Sequence, residues 1–341
     1  MEHALSEWLS GVHPVILLGL TLTCIAVLCF GADRMIEAVV ELARRTGLPR
    51  IIIGATIVSL GTTLPEAFVS VMAAWMGNSG LALGNGVGSI IADTGLIMGL
   101  GCLLTPVPMN HFILNRTGWV QVGSATLLAG IAVFLLLVSS GQPTLPRSVG
   151  LLFLLLLGGY LIMAYQWSKR GGDLLVLGGE EAPAASGLGL PGILLRLLFG
   201  LLLVVAGARI LIPAASETAL RCGVPEDIIA ATMIAFGTSL PELVTAISAV
   251  RKGHPEIMVG NVVGADVLNC LFVIGAAAAA KPLPIPATFY SFHFPAMLCI
   301  LYSFRLFVSL SRSGRFNRLQ GAWLLTLYGL YLILQYAYEL G

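Results

Sequence analysis

The sequence predicts an all-α integral membrane protein in which ten transmembrane helices form two inverted five-helix repeats. Three observations predict this fold: an apolar composition, ten apolar segments of spanning length and an internal repeat. Of the 341 residues, 57% are hydrophobic and 10% are charged, and the mean hydropathy is +0.94. Soluble domains carry about 25% charged residues, so the composition excludes a soluble globular protein.

Each apolar segment has the roughly 20 residues that a helix needs to cross the hydrocarbon core of a bilayer. The N-terminus lacks the basic region of a cleaved signal peptide, so we expect the first segment to remain as a helix. The ten segments cover residues 14–43, 51–76, 81–104, 117–138, 148–167, 192–220, 227–250, 256–280, 287–309 and 319–338.

The internal repeat relates the two halves of the chain at a constant offset, without insertion or deletion between the aligned motifs. Residues 54–66 read GATIVSLGTTLPE and residues 230–242 read AATMIAFGTSLPE, with seven of thirteen positions identical. Each half holds five segments, which is an odd number. The second half must therefore enter the membrane in the opposite direction, as in secondary transporters that bind substrate at the midplane between their halves.

The repeat divides the chain into three predicted parts. The first five-helix repeat covers residues 1–168, with motifs at 54–66 and 84–95, and the second covers residues 191–341, with motifs at 230–242 and 260–271. Residues 169–190 form a short cytoplasmic linker rich in glycine and charge. We expect this linker to be flexible and too short to hold a regulatory domain.

The distribution of positive charge predicts the orientation of the chain. With the N-terminus outside, the outer side holds only Arg147, Arg221 and Lys281. The positive-inside rule therefore predicts a multi-pass protein of the cell (inner) membrane with both termini extracytoplasmic. The positive residues then placed in the cytoplasmic loops and their flanks are Arg44, Arg45, Arg50, Arg116, Lys169, Arg170, Arg196, Arg251, Lys252, Arg305, Arg312, Arg315 and Arg318.

Each copy of the first motif places one glutamate, Glu66 or Glu242, inside an apolar segment with no Arg or Lys close in sequence. A carboxylate at membrane depth is costly and indicates a function. The glycine and proline beside it would loosen the helix and free main-chain carbonyls, as at cation sites of transporters. Two carboxylates with the carbonyls and hydroxyls near residues 62–63 and 238–239 suit Ca²⁺, which takes roughly six to eight oxygen ligands. No His or Cys joins them, which argues against Zn²⁺ or Cu⁺.

A second polar cluster lies in the third and eighth segments. Ser89 and Asp93 are four residues apart and share a helix face. Asp93 aligns with Asn269, so this pair contributes one charge, and we expect these residues to be ligands or near-ligands of the cation. Asp266 aligns with Ile90 and lies outside the symmetric set. It is either a water-facing residue or an accessory ligand.

These motifs resemble the Ca²⁺/cation antiporter superfamily, in particular its prokaryotic Na⁺/Ca²⁺ exchanger branch, over nearly the whole chain. The resemblance implies that Glu66 and Glu242 are the central Ca²⁺ ligands. It also implies that the segments 14–43 and 192–220 slide against the other eight to open the site to each side in turn. The residues expected to give hydroxyl or carbonyl oxygens to Ca²⁺ and Na⁺ are Thr62, Thr63, Thr238 and Ser239.

The sequence departs from the family pattern at two positions. The family usually has Asn in the first repeat and Asp in the second, whereas this chain has Asp93 and Asn269. The serine expected after the second Gly-Asn-x-x-Gly is Ala265, so one hydroxyl available to Na⁺ is missing. Proton/calcium exchangers of the superfamily typically replace the Leu-Pro-Glu ending, which both copies here keep, and this favours Na⁺ as the driving ion.

The leading functional hypothesis is a Na⁺/Ca²⁺ antiporter that works as a monomer in the lipid bilayer, with Ca²⁺ and Na⁺ as substrates and no cofactor. The alternative is an H⁺-coupled or K⁺-assisted Ca²⁺/cation exchanger with Asp93 as the titrating group. An ion channel is less compatible with a complete two-fold repeat in one chain. An intramembrane hydrolase lacks a Ser-His or metal-ligand arrangement, so no enzyme activity is expected. The net charge of +1 and the absence of a basic patch give no indication of nucleic-acid binding.

Overall fold

The computed structural model describes residues 8–139, 141–171, 189–222, 239–311 and 314–340. These residues are almost entirely helical. In chain order the helices are α1 (Pro14–Thr46), α2 (Arg50–Trp75), α3 (Ser79–Leu104), α4 (His111–Val138), α5 (Arg147–Gly171), α6 (Leu190–Arg221), α7 (Leu240–Arg251), α8 (Pro255–Ala280), α9 (Phe289–Leu310) and α10 (Arg318–Leu340).

Eight helices in the described ranges, α1 to α6 with α8 and α9, are long and apolar enough to cross a membrane. Helix α10 has 23 residues but is less apolar, because tyrosines interrupt its sequence. Helix α7 has 12 residues, and the predicted span 227–250 begins outside the described residues. Helix α4 begins before the predicted start at 117, because Asn110 accepts a hydrogen bond from the Ile113 N–H at 3.1 Å and caps an earlier turn.

Helices α1 and α6 pack against each other as an antiparallel pair. Gly31 contacts Gly200 near the middle of the pair, and a Cβ atom on Gly200 would lie 2.7 Å from the Gly31 carbonyl oxygen. At one end, Arg221 near the end of α6 donates to the Val12 carbonyl, just before α1, at 2.6 Å. Glycine at the crossing therefore allows the two backbones to approach closely.

Helices α2 and α8 run in the same direction. At their starts, Arg50 Nη1 lies 3.1 Å from Glu256 Oε1, and at their ends Lys281 Nζ donates to the Trp75 carbonyl at 3.3 Å. Between α2 and α3, Gly77 adopts a φ of 85°, which favours glycine, and the chain turns back. Helix α3 therefore runs opposite to both α2 and α8.

Within the described residues, four helices contain a π-helical turn: Gly54–Val58 in α2, Asp93–Ile97 in α3, Asn269–Ile274 in α8 and Phe289–His293 in α9. Such turns re-aim main-chain carbonyls and are frequent at functional sites. The sequence predicts that the glycine and proline of the Gly-Thr-Thr-Leu-Pro stretch loosen the helix, and in the first copy the α-helix Ser59–Trp75 continues through Pro65 without interruption. Pro65 still offers no N–H to the Gly61 carbonyl.

In the part of the chain that the structure describes, two short antiparallel strand pairs join the halves. Strand β1 (Val107–Pro108) pairs with β4 (Arg315–Phe316), and β2 (Thr144–Leu145) pairs with β3 (Leu283–Pro284). In each pair one strand precedes the central linker and the other follows it. The two halves are therefore joined by main-chain strand pairing at two places outside the helices.

The α1–α6 crossing predicts a stability effect. We expect Gly200→Leu to lower the free energy of unfolding by about 1–3 kcal/mol, because the new side chain must push α1 away. Thermal unfolding of the detergent-solubilised protein, followed by tryptophan fluorescence, measures this change. Gly158→Leu is the matched control, because a Cβ at Gly158 has nothing within 4 Å. Equal melting temperatures for the two variants would contradict the close packing.

Candidate cation-binding site

Four helices bring the predicted site residues into the core. The nine that lie in the described residues are at most 4% exposed, whereas Thr238 lies outside the described part of the chain. Helix α2 supplies Thr62, Thr63 and Glu66, α3 supplies Ser89 and Asp93, Ser239 and Glu242 come from the start of α7, and α8 supplies Asp266 and Asn269.

The two glutamates lie close enough for their charges to interact, although they belong to opposite halves of the chain. Thr62 of the first motif lies beside the Glu242 carboxylate of the second. Its hydroxyl also donates to the carbonyls one turn earlier in α2. Both glutamates are 2% exposed. The two copies of the motif therefore meet in one place, as the sequence predicts for a shared site.

Asp93 lies at the centre of the charged cluster. It interacts electrostatically with Glu66, Glu242 and Asp266, and the Ser239 side chain lies next to it. Asn269 Nδ2 donates to Asp93 Oδ2 at 3.4 Å. The two residues that exchange places relative to the family pattern are thus in contact, and each begins a π-helical turn.

The cluster contains oxygen atoms that are buried without a hydrogen-bond partner among the described residues. An unsatisfied buried polar group costs about 1–3 kcal/mol, and such groups are rare in folded proteins. All of those in the cluster are oxygens, which a hard cation satisfies directly. They are Thr63 Oγ1, Glu66 Oε2, Asp93 Oδ1, Ser239 Oγ, Glu242 Oε2, Asp266 Oδ1 and Asn269 Oδ1.

The carboxylates do not form a preformed metal centre. In the described ranges, no group of three or more His, Cys, Asp or Glu side chains is arranged to hold a metal ion. A bound cation must therefore draw its ligands from a mixture of carboxylate, hydroxyl, amide and carbonyl oxygens. Such mixed oxygen shells are typical of Ca²⁺, whereas transition metals prefer His and Cys ligands.

The asparagine of each Gly-Asn pair holds the backbone around the glutamates. Asn85 Nδ2 donates to the Glu66 carbonyl at 3.0 Å and to Ser70 Oγ at 2.8 Å. Asn261, its counterpart in the second half, donates to Thr245 Oγ1 at 3.4 Å. These buried bonds position the helix turns that carry the carboxylates.

Asp266 is 1% exposed, so the interpretation of this residue as water-facing is wrong. Its Oδ2 atom accepts hydrogen bonds from Thr94 Oγ1 and from Gln121 Nε2, the latter at 2.5 Å. Sequence reasoning missed both donors. Gln121 carried a signal, because it is an amide in the middle of the apolar helix α4, and polar residues at membrane depth are functional by default. Thr94 carried no such signal.

The family model of the sodium/calcium exchanger proteins matches residues 16–166 and 192–337. The chain therefore belongs to this family. The family resemblance predicted from the two motifs is confirmed. The chain is therefore a membrane protein of an antiporter family whose substrates are Ca²⁺ and Na⁺.

Individual relatives match along most of their length. Inner membrane protein YrbG of Escherichia coli (strain K12) is 35% identical over 279 residues, which are 81% of this chain and 84% of that protein. Sodium/calcium exchanger MaX1 of Methanosarcina acetivorans is 29% identical over 94% of this chain and 97% of its own. A solved structure of the sodium-calcium exchanger NCX_Mj matches with a TM-score of 0.77 and 25% identity, covering 94% of this chain and 99% of that one.

Because Asp93 and Asn269 are in contact, we predict that the negative charge can be placed at either position with a similar effect on Ca²⁺ binding. Asp93→Asn removes one negative charge and should weaken Ca²⁺ binding by about tenfold or more, which corresponds to about 1.4 kcal/mol. The double variant Asp93→Asn with Asn269→Asp restores the charge and should recover most of the affinity. Isothermal titration calorimetry with Ca²⁺ measures both.

Asn269→Asp alone is the control for added charge, and it should not reproduce the loss. A double variant that binds Ca²⁺ no better than Asp93→Asn would show that the two positions are not equivalent.

Proposed function

We propose that the protein is a secondary active antiporter that exchanges Na⁺ for Ca²⁺ across the membrane by alternating access, without catalysing a chemical reaction. One observation carries this proposal. The glutamates of the two motifs, Glu66 and Glu242, lie together in the core, and each keeps a buried carboxylate oxygen that has no partner in the described residues. The sodium/calcium exchanger names of MaX1 and NCX_Mj support the same pair of ions.

Competition for one set of oxygens would couple the two ions. Two glutamates carry two negative charges, which one Ca²⁺ or two Na⁺ would balance. A site emptied of cations would leave these charges buried and uncompensated, at a cost of several kcal/mol. The empty transporter therefore resists crossing between its two states, and Na⁺ moving down its gradient drives Ca²⁺ the other way.

The helix directions support two inverted repeats, residues 1–168 and 191–341, with the site between them. Helices α1 and α6 begin at equivalent positions of the repeat, Pro14 and Leu190, and run antiparallel. Helices α3 and α8 also begin at equivalent positions, Ser79 and Pro255, and they run in opposite directions too. Matching helices of opposite direction are what an inverted repeat requires. On this arrangement we also propose that one chain holds a complete site and acts as a monomer with both termini extracytoplasmic.

Helix α1 contacts α7 and the residue after it through polar pairs that can break and reform. Asp33 of α1 accepts a hydrogen bond from Ser248 of α7 at 2.5 Å, and Glu37 of α1 lies 2.9 Å from Lys252 Nζ. Both partners of the ion pair are partly exposed, and such pairs contribute about 1 kcal/mol or less. These contacts suit a pair of helices that slides against the rest.

A second candidate is an H⁺-coupled or K⁺-assisted exchanger of the same fold. The observation that favours it is Asp93, a fully buried carboxylate at a position where the family usually has asparagine. Conversion of Asp93 to asparagine should then remove the pH dependence of Ca²⁺ transport.

Transport in proteoliposomes tests the proposed exchange. Protein in Na⁺-filled liposomes should take up ⁴⁵Ca²⁺ on dilution into Na⁺-free buffer. Glu66→Gln and Glu242→Gln should each reduce the uptake rate by at least about 100-fold, because each removes a central charged ligand whose loss in a buried site costs about 3 kcal/mol or more. Glu217→Gln is the matched control, because Glu217 lies in α6 and pairs with Arg221 at 2.8 Å.

Each outcome of this assay separates the candidates. Uptake that requires internal Na⁺ supports Na⁺/Ca²⁺ exchange, whereas uptake driven only by a proton gradient reassigns the coupling ion. Full activity in either glutamine variant would overturn the assignment of the site.

A further inference from the structure

The buried network of Asp266, Thr94 and Gln121 lies outside the symmetric part of the site. Asp266 aligns with Ile90 in the first half, so the repeat provides only one such carboxylate. Thr94 lies on α3 and Gln121 on α4, and the three residues are at most 1% exposed. Helix α4 supplies no other residue to the predicted site.

Both hydrogen bonds that the Asp266 carboxylate accepts in this network fall on the same oxygen atom. Thr94 Oγ1 and Gln121 Nε2 both donate to Oδ2, and Gln121 Nε2 also lies 3.2 Å from Thr94 Oγ1. Asp266 Oδ1 and Gln121 Oε1 are left without a hydrogen-bond partner among the described residues. The donors thus fix the carboxylate and leave one carboxylate oxygen and one amide oxygen available as ligands.

With all four of its carboxylates ionised, the core carries more negative charge than one Ca²⁺ offsets. Glu66, Asp93, Glu242 and Asp266 carry four formal negative charges, and Asp93 interacts with the other three. Arg209 of α6 carries a positive charge that interacts electrostatically with the Glu66 carboxylate. Arg209 and one Ca²⁺ together offset three of the four charges. Buried charge without compensation is costly, so one further positive charge would balance the fully ionised cluster.

We infer that Asp266, held by Thr94 and Gln121, forms a subsite for one alkali metal cation, which is occupied while Ca²⁺ is bound at the glutamates. This inference rests on the proposed function and adds a separate ion position to it. The ligands assigned to the cation are Asp266 Oδ1 and Gln121 Oε1. A monovalent ion matches the single charge of Asp266, whereas a divalent ion would leave an excess positive charge. The π-helical turns that start at Asp93 and Asn269 flank the subsite and offer re-aimed main-chain carbonyls.

Thr94 and Gln121 are positioning residues for the carboxylate, and Gln121 is also a ligand. Loss of Gln121 removes one ligand oxygen and one donor but leaves the charge of Asp266 in place. Loss of the Asp266 charge removes the electrostatic attraction that holds the cation in the subsite. The two changes should therefore differ, with weaker binding in the first case and no binding in the second.

Equilibrium dialysis with two isotopes tests the subsite. Purified protein saturated with ⁴⁵Ca²⁺ is dialysed against ²²Na⁺ in one arm and against ⁸⁶Rb⁺, as a K⁺ analogue, in the other. We expect one alkali cation per Ca²⁺-loaded protein in at least one arm, and the arm identifies the ion. Asp266→Asn, which keeps the size of the side chain, should abolish this binding when it is measured at saturating ⁴⁵Ca²⁺.

Gln121→Leu should weaken alkali-cation binding by about tenfold or more, since a buried ligand oxygen is lost and a tenfold change corresponds to about 1.4 kcal/mol. Thr117→Val is the matched control. Thr117 lies one turn earlier on α4, is 1% exposed and donates only to the Ile113 carbonyl at 3.0 Å, so its loss should leave alkali-cation binding unchanged.

The outcomes keep the two proposals apart. Wild-type protein that binds no ⁴⁵Ca²⁺ contradicts the proposed function itself. Wild-type protein that binds ⁴⁵Ca²⁺ but neither alkali cation contradicts the subsite alone, as does a Ca²⁺-loaded Asp266→Asn variant that retains the alkali cation. If Asp266→Asn does not fold, Gln121→Leu with unchanged alkali-cation affinity overturns the subsite.

Discussion

A carboxylate in an apolar helix bundle must be compensated, because burial of an unpaired charge costs several kcal/mol. This constraint governs the whole centre of the protein, where Glu66, Asp93, Glu242 and Asp266 are at most 2% exposed. The donors near them are few and mostly neutral. On the proposed function, cations complete this structure, and we expect its stability to depend on which cations are present. Ion binding and the folded state are linked in such an arrangement.

The surrounding helices bring these charges together at specific points of close backbone approach. A Cβ atom on Gly54 would lie 2.6 Å from the Ile257 carbonyl, so α2 and α8 meet almost backbone to backbone. Asn85 then fixes the turn that carries Glu66 by binding its carbonyl. Helical hydrogen bonding is altered nearby at the π-helical turns, so main-chain oxygens become available beside the carboxylates without opening the fold.

Much of this arrangement could be predicted from the sequence, because its signals are local or repeated. Hydropathy predicted the eight helices that are long and apolar enough to cross a membrane. The doubled motif predicted that Glu66 and Glu242 lie together, and both are buried in the core. The exchange of Asp93 and Asn269 was also visible, and the structure places the two in contact. The resemblance to a known family added roles for the hydroxyls, which the residues alone left general.

The remaining features depend on contacts between distant parts of the chain. The π-helical turns cannot be recognised from hydropathy, because one extra residue in a helix turn hardly changes the length or the composition of the apolar segment. The continuation of α2 through Pro65 reflects tertiary packing that outweighs the local tendency to break. Gln121 reaches Asp266 across 145 residues of sequence, and no spacing rule joins them. The short strands are likewise set only by their partners in the other half.

Those strands have a consequence for how the chain assembles. Strand β1 finds its partner in the second half, and β3 of the second half finds its partner in the first. Neither half can complete its own strand pairs, so the halves behave as complementary fragments rather than as independent folding units. Two separate polypeptides divided between residues 171 and 189 would carry every one of these contacts and should reassemble when made together. Either fragment made alone would be left with unpaired strand edges.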